Sequence, residues 1–502
     1  MTGRRLLLAL AATLLACSGP GGAHLAQANE ADCAKLAKPG LFEHITVTEA
    51  RFYPADVAKS LPANCDVKGI ITAVPGSKVT VVYRLPDNWI GKMIGFGGGG
   101  WAGNTTLSTA APGLAKGYAT AQTDAGHDSG SGFDTTWVKG NPVAMTDFSY
   151  RAVHQMTVTG KSVVARYYGK AAARSYFQGC STGGRMGLME AQRFPDDYDA
   201  VIAGAPVYSL LVQTSPGIRN RLFTAPGAAI SPAQMQRVNQ AVLGACDARD
   251  GLQDGVVTDP RRCEWDPAAL QCKAGESGAS CLTPTQVGAL RQAYTTIKDG
   301  NGVVGNYALT RGGEAGWLPF VQSTPTGTNN AATGALGELL PYIFGDANYD
   351  FAKFDPLKDQ AAVHKTPFAQ EYEATNPKLT AFLKRGGKLL MWHGFDDPGP
   401  SPYATIDYFE RAKAANGKES AVQLFIAPGV YHCRGGPGAD EFDLIAELDR
   451  WVESGQAPQS IPAKNSKTGA ERPLCAYPAL PYYKGEGDPN SAGSFACRTA
   501  PH

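Results

Sequence analysis

The chain has 502 residues, with 46 Lys and Arg against 45 Asp and Glu and a formal charge of +1. That length exceeds one simple core and predicts either one large domain carrying an insertion or two domains. Balanced charge with no long basic run excludes a polyanion-binding surface, so no nucleic-acid partner is expected.

The chain opens "MTGRRLLLALAATLLACSGPGGAHLAQANEADC": a basic pair (Arg4, Arg5), a short apolar run, and small residues ending in "AQA". This is signal-peptide grammar over residues 1–28 and predicts a secreted or periplasmic protein. "LLAC", ending at Cys17, offers a second route, processing to a lipoprotein anchored through that cysteine. The apolar run falls short of the roughly 20 residues a membrane span needs, and nothing later approaches it. Removing the leader leaves ten of the 11 cysteines, an even number that in an exported chain predicts disulfides. They are scattered with no C-x-x-C pair, which argues against zinc.

The first strands are predicted in "SKVTVVYRLP" (77–86), in "KMIGFGGGG" (92–100), which runs into a glycine loop, and in "GYATAQTDAGH" (117–127). A helix over 147–169 follows, then the strand "RSYFQG" and a helix through "MGLMEAQRFP". From about 207 to 370 the rhythm breaks into Gly-, Pro-, Thr- and Asn-rich segments holding four cysteines, the candidate lid insertion. Alternation returns as helix, strand and loop in 379–398, helix in 403–417, strand and loop in 421–433, and helix in 440–455. Strand and helix in alternation predict an α/β fold with a largely parallel, covered sheet. The boundaries expected are core 29–206, lid 207–370 and core 371–502.

Between the predicted strand and helix stands Gly179-Cys180-Ser181-Thr182-Gly183, the G-x-S-x-G pattern in the context a nucleophile elbow requires. A helix N-cap is the ordinary structural alternative for Ser181. A nucleophilic serine needs a base and a carboxylate that orients it, in the chain order Ser, acid, His on this kind of fold. His432, in a loop straight after a strand, is the base; Asp397 in "HGFDDP" is the acid, with Asp396 its rival. His393 and His127 are expected to hydrogen-bond within loops. The oxyanion donors are the N–H of Thr182 and one from "GFGGGGWAGN", assigned to Gly98. In "ACDARDGLQDGVVTDPRRC", Asp247, Asp250 and Asp254 gather hard oxygens that suit calcium, though not as an EF-hand, and a solvated acidic turn is the alternative.

The segments "GCSTGGRMGLMEAQRFPDDYDAVIAGAP", "HGFDDP", "PGVYHC", "CDARDGLQDGVV" and "RPLCAYP" together resemble the tannase and feruloyl esterase family, which also holds an esterase of mono(2-hydroxyethyl) terephthalate. The resemblance runs from about Cys33 to Cys497. It implies an α/β-hydrolase fold with an inserted lid, Ser181, Asp397 and His432 as the triad, and Thr182 and Gly98 at the oxyanion. It further implies a structural lid calcium held by Asp247, Asp250, Asp254 and the carbonyls of Leu252 and Val256. The implied disulfides are Cys33–Cys65, Cys180–Cys433, Cys246–Cys263, Cys272–Cys281 and Cys475–Cys497. Thr182 stands where the terephthalate-ester enzyme has Glu, so hydroxycinnamate and gallate esters are expected ahead of terephthalate half-esters. The expected activity is that of an exported serine esterase acting on small aromatic esters. Two competing readings are a non-catalytic binding protein on the same fold and a thiol enzyme using Cys180. Oligomeric state is not legible.

Overall fold

The computed structural model describes residues 30–128, 132, 134–318, 340–341, 344–346, 348–350 and 353–499. The leader, with Cys17 and the predicted cleavage after Ala28, lies outside the described residues. Among those described, no helix is long and apolar enough to cross a membrane.

The centre is a nine-stranded sheet. It comprises β1 (Ile45–Tyr53), β2 (Asn64–Ile71), β3 (Val79–Pro86), β4 (Lys92–Phe96), β5 (Ala119–Thr123), β6 (Arg174–Cys180) and β7 (Ala200–Gly204). After a two-stranded hairpin, β8 (Ile297–Lys298) with β9 (Val304–Asn306), it is completed by β10 (Lys388–Gly394) and β11 (Val422–Ala427). The spatial order is β1-β2-β3-β5-β4-β6-β7-β10-β11. From β1 to β5 neighbours are antiparallel; from β5 onward they are parallel.

Chemistry follows this division. Every residue of β7 is buried, and Leu389, Leu390 and Met391 of β10 are fully buried, as parallel strands covered on both faces must be. β2 instead alternates, with Val67, Gly69 and Ile71 buried and Asp66, Lys68 and Ile70 half-buried on the other face. Separate apolar clusters line the two faces of the sheet, one including Met156, Phe177 and Val201, the other Tyr176, Ile202 and Trp451. Between β7 and β10 the chain leaves the sheet and packs much of itself around another cluster that includes Phe223, Leu290 and Trp317.

All five disulfides pair as the family resemblance implies, Cys33–Cys65, Cys180–Cys433, Cys246–Cys263, Cys272–Cys281 and Cys475–Cys497. Cys180 is therefore not a free thiol, which removes the thiol-enzyme reading.

Candidate active site

The site lies at the carboxyl ends of the parallel strands, where ligands of open α/β sheets bind. β6 ends at Cys180, and the helix Thr182–Arg193 begins one residue after Ser181. Ser181 carries φ 63 and ψ −123, a left-handed conformation that a non-glycine residue holds only when its surroundings over-determine it. The pattern's glycines permit the turn. A Cβ on Gly179 would fall 2.3 Å from the Gly183 carbonyl carbon, so strand and helix could not close with any side chain there. The Ser181 N–H donates to Gly204 O at 2.9 Å, pinning the elbow to β7.

β10 and β11 deliver the other two residues. Asp397, fully buried, follows β10 by a short turn, and its Oδ2 accepts from His432 Nδ1 at 2.7 Å. That bond fixes the tautomer and leaves the Nε2 lone pair, the one a base needs, on the ring's other side. His432 is partly exposed, 16% of its side chain, as a proton carrier to substrate must be. The Cys180–Cys433 bond, with Cα atoms 6.0 Å apart, joins the residue before Ser181 to the residue after His432.

His393 departs from its expected role. It lies on β10, not in a loop, is fully buried, and its Nε2 is 3.0 Å from the same Asp397 Oδ2 and 3.1 Å from Pro400 O. Facing two acceptors, that nitrogen carries a proton, so two histidines donate to one carboxylate oxygen. The sequence signal was the spacing His-x-x-x-Asp across a strand end. His127 also departs: among the described residues neither ring nitrogen has a hydrogen-bond partner, and the ring stacks on Trp137 at 3.9 Å. Asp397 Oδ1 accepts from the Gly399 N–H at 2.7 Å, and the Gly399 carbonyl in turn accepts from buried Arg219, a contact sequence reading missed. Burial pushes the Arg219 guanidinium down to about 9, opposed by the Asp397 charge. Burial alone would raise the Asp397 carboxyl; the charges and hydrogen bonds of His432 and His393 override it and hold it at about 2.

Of the expected oxyanion donors, Thr182 stands at the helix start, its hydroxyl donating to Gly100 O and so tying helix to glycine loop. The Gly98 N–H points to Met186 Sδ, 3.5 Å away. Only glycine fits here, since a Cβ on Gly98 would meet Ala102 O at 2.1 Å.

The acidic loop is stapled by Cys246–Cys263. Asp247 accepts from the N–H groups of Asp254 (3.3 Å) and Gly255 (2.9 Å), and Asp250 from Leu252 N–H (3.0 Å) and the Thr258 hydroxyl (2.6 Å). Burial raises the carboxyls of Asp247 and Asp250, and no described cation pairs with either within 4.0 Å. Asp254 instead pairs with Arg472 at 2.6 Å, and the three carboxylates do not all come within 4.8 Å of one another.

Residues 65–498 match the family model described as tannase and feruloyl esterase. The chain is 34% identical to mono(2-hydroxyethyl) terephthalate hydrolase of Piscinibacter sakaiensis, over 88% of this chain and 86% of that protein. It is 36% identical to a probable feruloyl esterase of Arthroderma benhamiae, over 84% of this chain and 82% of the relative. A crystal structure of an esterase from Aspergillus oryzae superposes with a TM-score of 0.84 at 25% identity, covering 93% of this chain and all of that one. This chain thus belongs to the tannase and feruloyl esterase family of carboxylic ester hydrolases.

Proposed function

We propose that the protein is an exported serine esterase that hydrolyses feruloyl-type or galloyl esters through an acyl-enzyme. Ser181 attacks the ester carbonyl as His432 Nε2 takes its proton; the same nitrogen then protonates the departing alcohol. Water, deprotonated by His432, releases the aromatic acid. Asp397 orients His432 and stabilises the imidazolium. Thr182 N–H, at the positive end of the helix Thr182–Arg193, faces the developing oxyanion, with Gly98 as second donor. A thioether is a weak acceptor, so an oxyanion at the elbow would be the stronger partner for the Gly98 N–H. The observation that carries this reading is the Asp397–His432 bond joined by Cys180–Cys433 to a serine held at φ 63.

Terephthalate half-esters are the second reading, favoured by the 34% identity to the Piscinibacter enzyme. A free acyl carboxylate calls for a cation. Arg219, 1% exposed and bonded to Gly399 O and Ser215, keeps one nitrogen, Nη1, without a partner among the described residues; Arg311 Nε donates to Trp265 O, and residues 319–339 contain neither Arg nor Lys. One enclosed guanidinium offers a free carboxylate less than an open lid cation would, so uncharged acyl groups are placed first.

The loop chemistry supports a structural calcium. Asp247, Asp250 and Asp254, with the carbonyls of Leu252 and Val256, would hold it, and two buried carboxylates without a cation partner fit such a guest. It would neutralise the loop rather than take part in ester cleavage.

Ser181→Ala should fold normally and lose several orders of magnitude in turnover. Comparing kcat/KM for methyl ferulate, methyl gallate and mono(2-hydroxyethyl) terephthalate on the native chain decides the acyl group. Near-native turnover in Ser181→Ala would end the mechanism, and a preference for the half-ester would transfer the assignment to the second reading.

A further inference from the structure

Behind the elbow helix, away from Ser181, three side chains from separate elements converge. His154 projects from the helix Ala152–Tyr168, Glu190 from the last turns of Thr182–Arg193, and Asp197 from the turn before β7. One ligand atom from each lies within 4.8 Å of the other two. His154 Nδ1 is 2.6 Å from Asp197 Oδ2, and its ring plane is fixed by stacking on Phe194 at 3.9 Å and 11°. Glu190 is 1% exposed; neither carboxyl oxygen meets a donor among the described residues, and only in its protonated form does it hydrogen-bond, to Asp197.

Burial, and then the charge of Asp197, push the Glu190 carboxyl well above its usual range, so the three side chains leave room at their centre for either a proton shared with Asp197 or a bound cation. Lys161 does not supply the cation directly. Its ammonium donates to Asp196 O at 3.2 Å, and it forms no ion pair with Glu190 or Asp197 within 4.0 Å.

We propose that His154, Glu190 and Asp197 bind a transition-metal dication of the zinc type. One imidazole nitrogen with two carboxylate oxygens is a mixed donor set that suits zinc, whereas calcium and magnesium take all-oxygen shells. Two carboxylates balance the dication, and binding releases both the proton between His154 Nδ1 and Asp197 and the proton held by Glu190. Ligand bonds of about 2.0–2.2 Å require only a modest closure of the three donors. The His154 side chain is 26% exposed and gives the entrance; Glu190 forms the floor. A metal here would cross-link the helix Ala152–Tyr168 to the far end of the helix that begins beside Ser181, bracing the elbow from behind.

The test uses the untagged full chain, stripped of transition metals and kept in millimolar calcium so that the acidic loop does not compete. Zinc titration by calorimetry should show one equivalent bound, with a matching rise in Tm. Glu190→Gln and His154→Gln should weaken that binding at least about tenfold, since even outer-shell partners are worth about 10- to 100-fold. Glu190→Gln should retain native ester turnover. Cobalt(II) provides a readout independent of variant stability: the native chain should give visible d–d bands of a low-coordinate N/O site, and Glu190→Gln should not. Equal zinc binding by the native chain and both variants overturns the proposal. So does a native chain that binds no zinc at micromolar concentration, which would leave a proton shared between Glu190 and Asp197 as the means of neutralising the cluster.

Discussion

Asp396 and Asp397 are both buried, and their partners drive them in opposite directions. Among the described residues the Asp396 carboxyl has one long contact, Oδ1 to the Thr310 hydroxyl at 3.4 Å, while Oδ2 has no partner; burial, then the nearby charge of Glu314, pushes this carboxyl well above the usual range. Asp397 has two histidines and titrates at about 2, below the ordinary 3.8. A depressed carboxyl contributes stability that is complete above about pH 4 and is lost as pH falls toward 2. A raised carboxyl does the reverse: its native state holds the extra proton, so stability falls as pH rises past the unfolded value. Asp396→Asn should therefore raise Tm relative to the native chain more at pH 8 than at pH 5, with kcat changed only a few-fold. Asp397→Asn should lower kcat by about 10³- to 10⁴-fold, because the amide favours the wrong tautomer of His432. Melting curves and kinetics at the two pH values check both; a larger kcat loss in Asp396→Asn would exchange the two roles.

Two elements meet at the Cys180–Cys433 bond, and both carry strained backbone: Ser181 at the end of β6 and Cys433 in the loop after β11 each have φ 63. Such residues cost about 1–3 kcal/mol each and persist only where neighbours hold them. The bond closes a sequence separation of 253, so the chain-entropy account gives it a stabilisation on the order of 5 kcal/mol. It also holds the His432 loop against the elbow, where a misplacement of about 1 Å costs about a hundredfold in rate. Replacing both cysteines by alanine should lower kcat by at least about tenfold at a temperature where circular dichroism still shows the variant fully folded. Full kcat in a folded double variant would reduce the bond to an ordinary staple. The elements that build this junction were legible because parallel strands are continuous apolar runs that end in turn residues, as in β6, β10 and β11. β1 and β2 were not, because Glu49, Arg51, Asp66 and Lys68 interrupt their apolar residues and only the period of two betrays a strand. His393 was placed in a loop because its partner is set by how β10 turns into Asp397, which no local pattern records. The convergence of His154 with Glu190 and Asp197 is likewise a tertiary fact, made by packing one helix against another.

At the scale of the whole molecule, the acidic loop is a junction between the segment inserted after β7 and the C-terminal part of the chain. Asp254 reaches out of that loop to Arg472, on the strand Glu471–Cys475, and Glu314 and Gly313 of the inserted segment press against Asp396 beside the triad. A cation bound by Asp247, Asp250 and Asp254 would stabilise one side of this junction, and through it the packing of the inserted segment beside Asp396. Because such an ion binds only the folded loop, it stabilises by mass action, about 2.7 kcal/mol at a hundred times its dissociation constant. Chelation of the purified protein should therefore lower Tm by several degrees, and returning calcium, but not magnesium, should restore it. Magnesium demands a tighter, near-octahedral shell and gives up its water reluctantly, whereas calcium accepts the irregular carboxylate and carbonyl set this loop offers. Asp247→Asn should start at the lower Tm and become insensitive to chelator, while kcat for methyl ferulate at a temperature well below melting stays within about twofold of native, as expected of an ion that takes no part in ester cleavage. An active native protein that contains no calcium by elemental analysis, or one whose Tm ignores chelation, would leave the loop shaped by its Cys246–Cys263 staple and tied across the junction by contacts such as Asp254–Arg472 and Arg261–Tyr477.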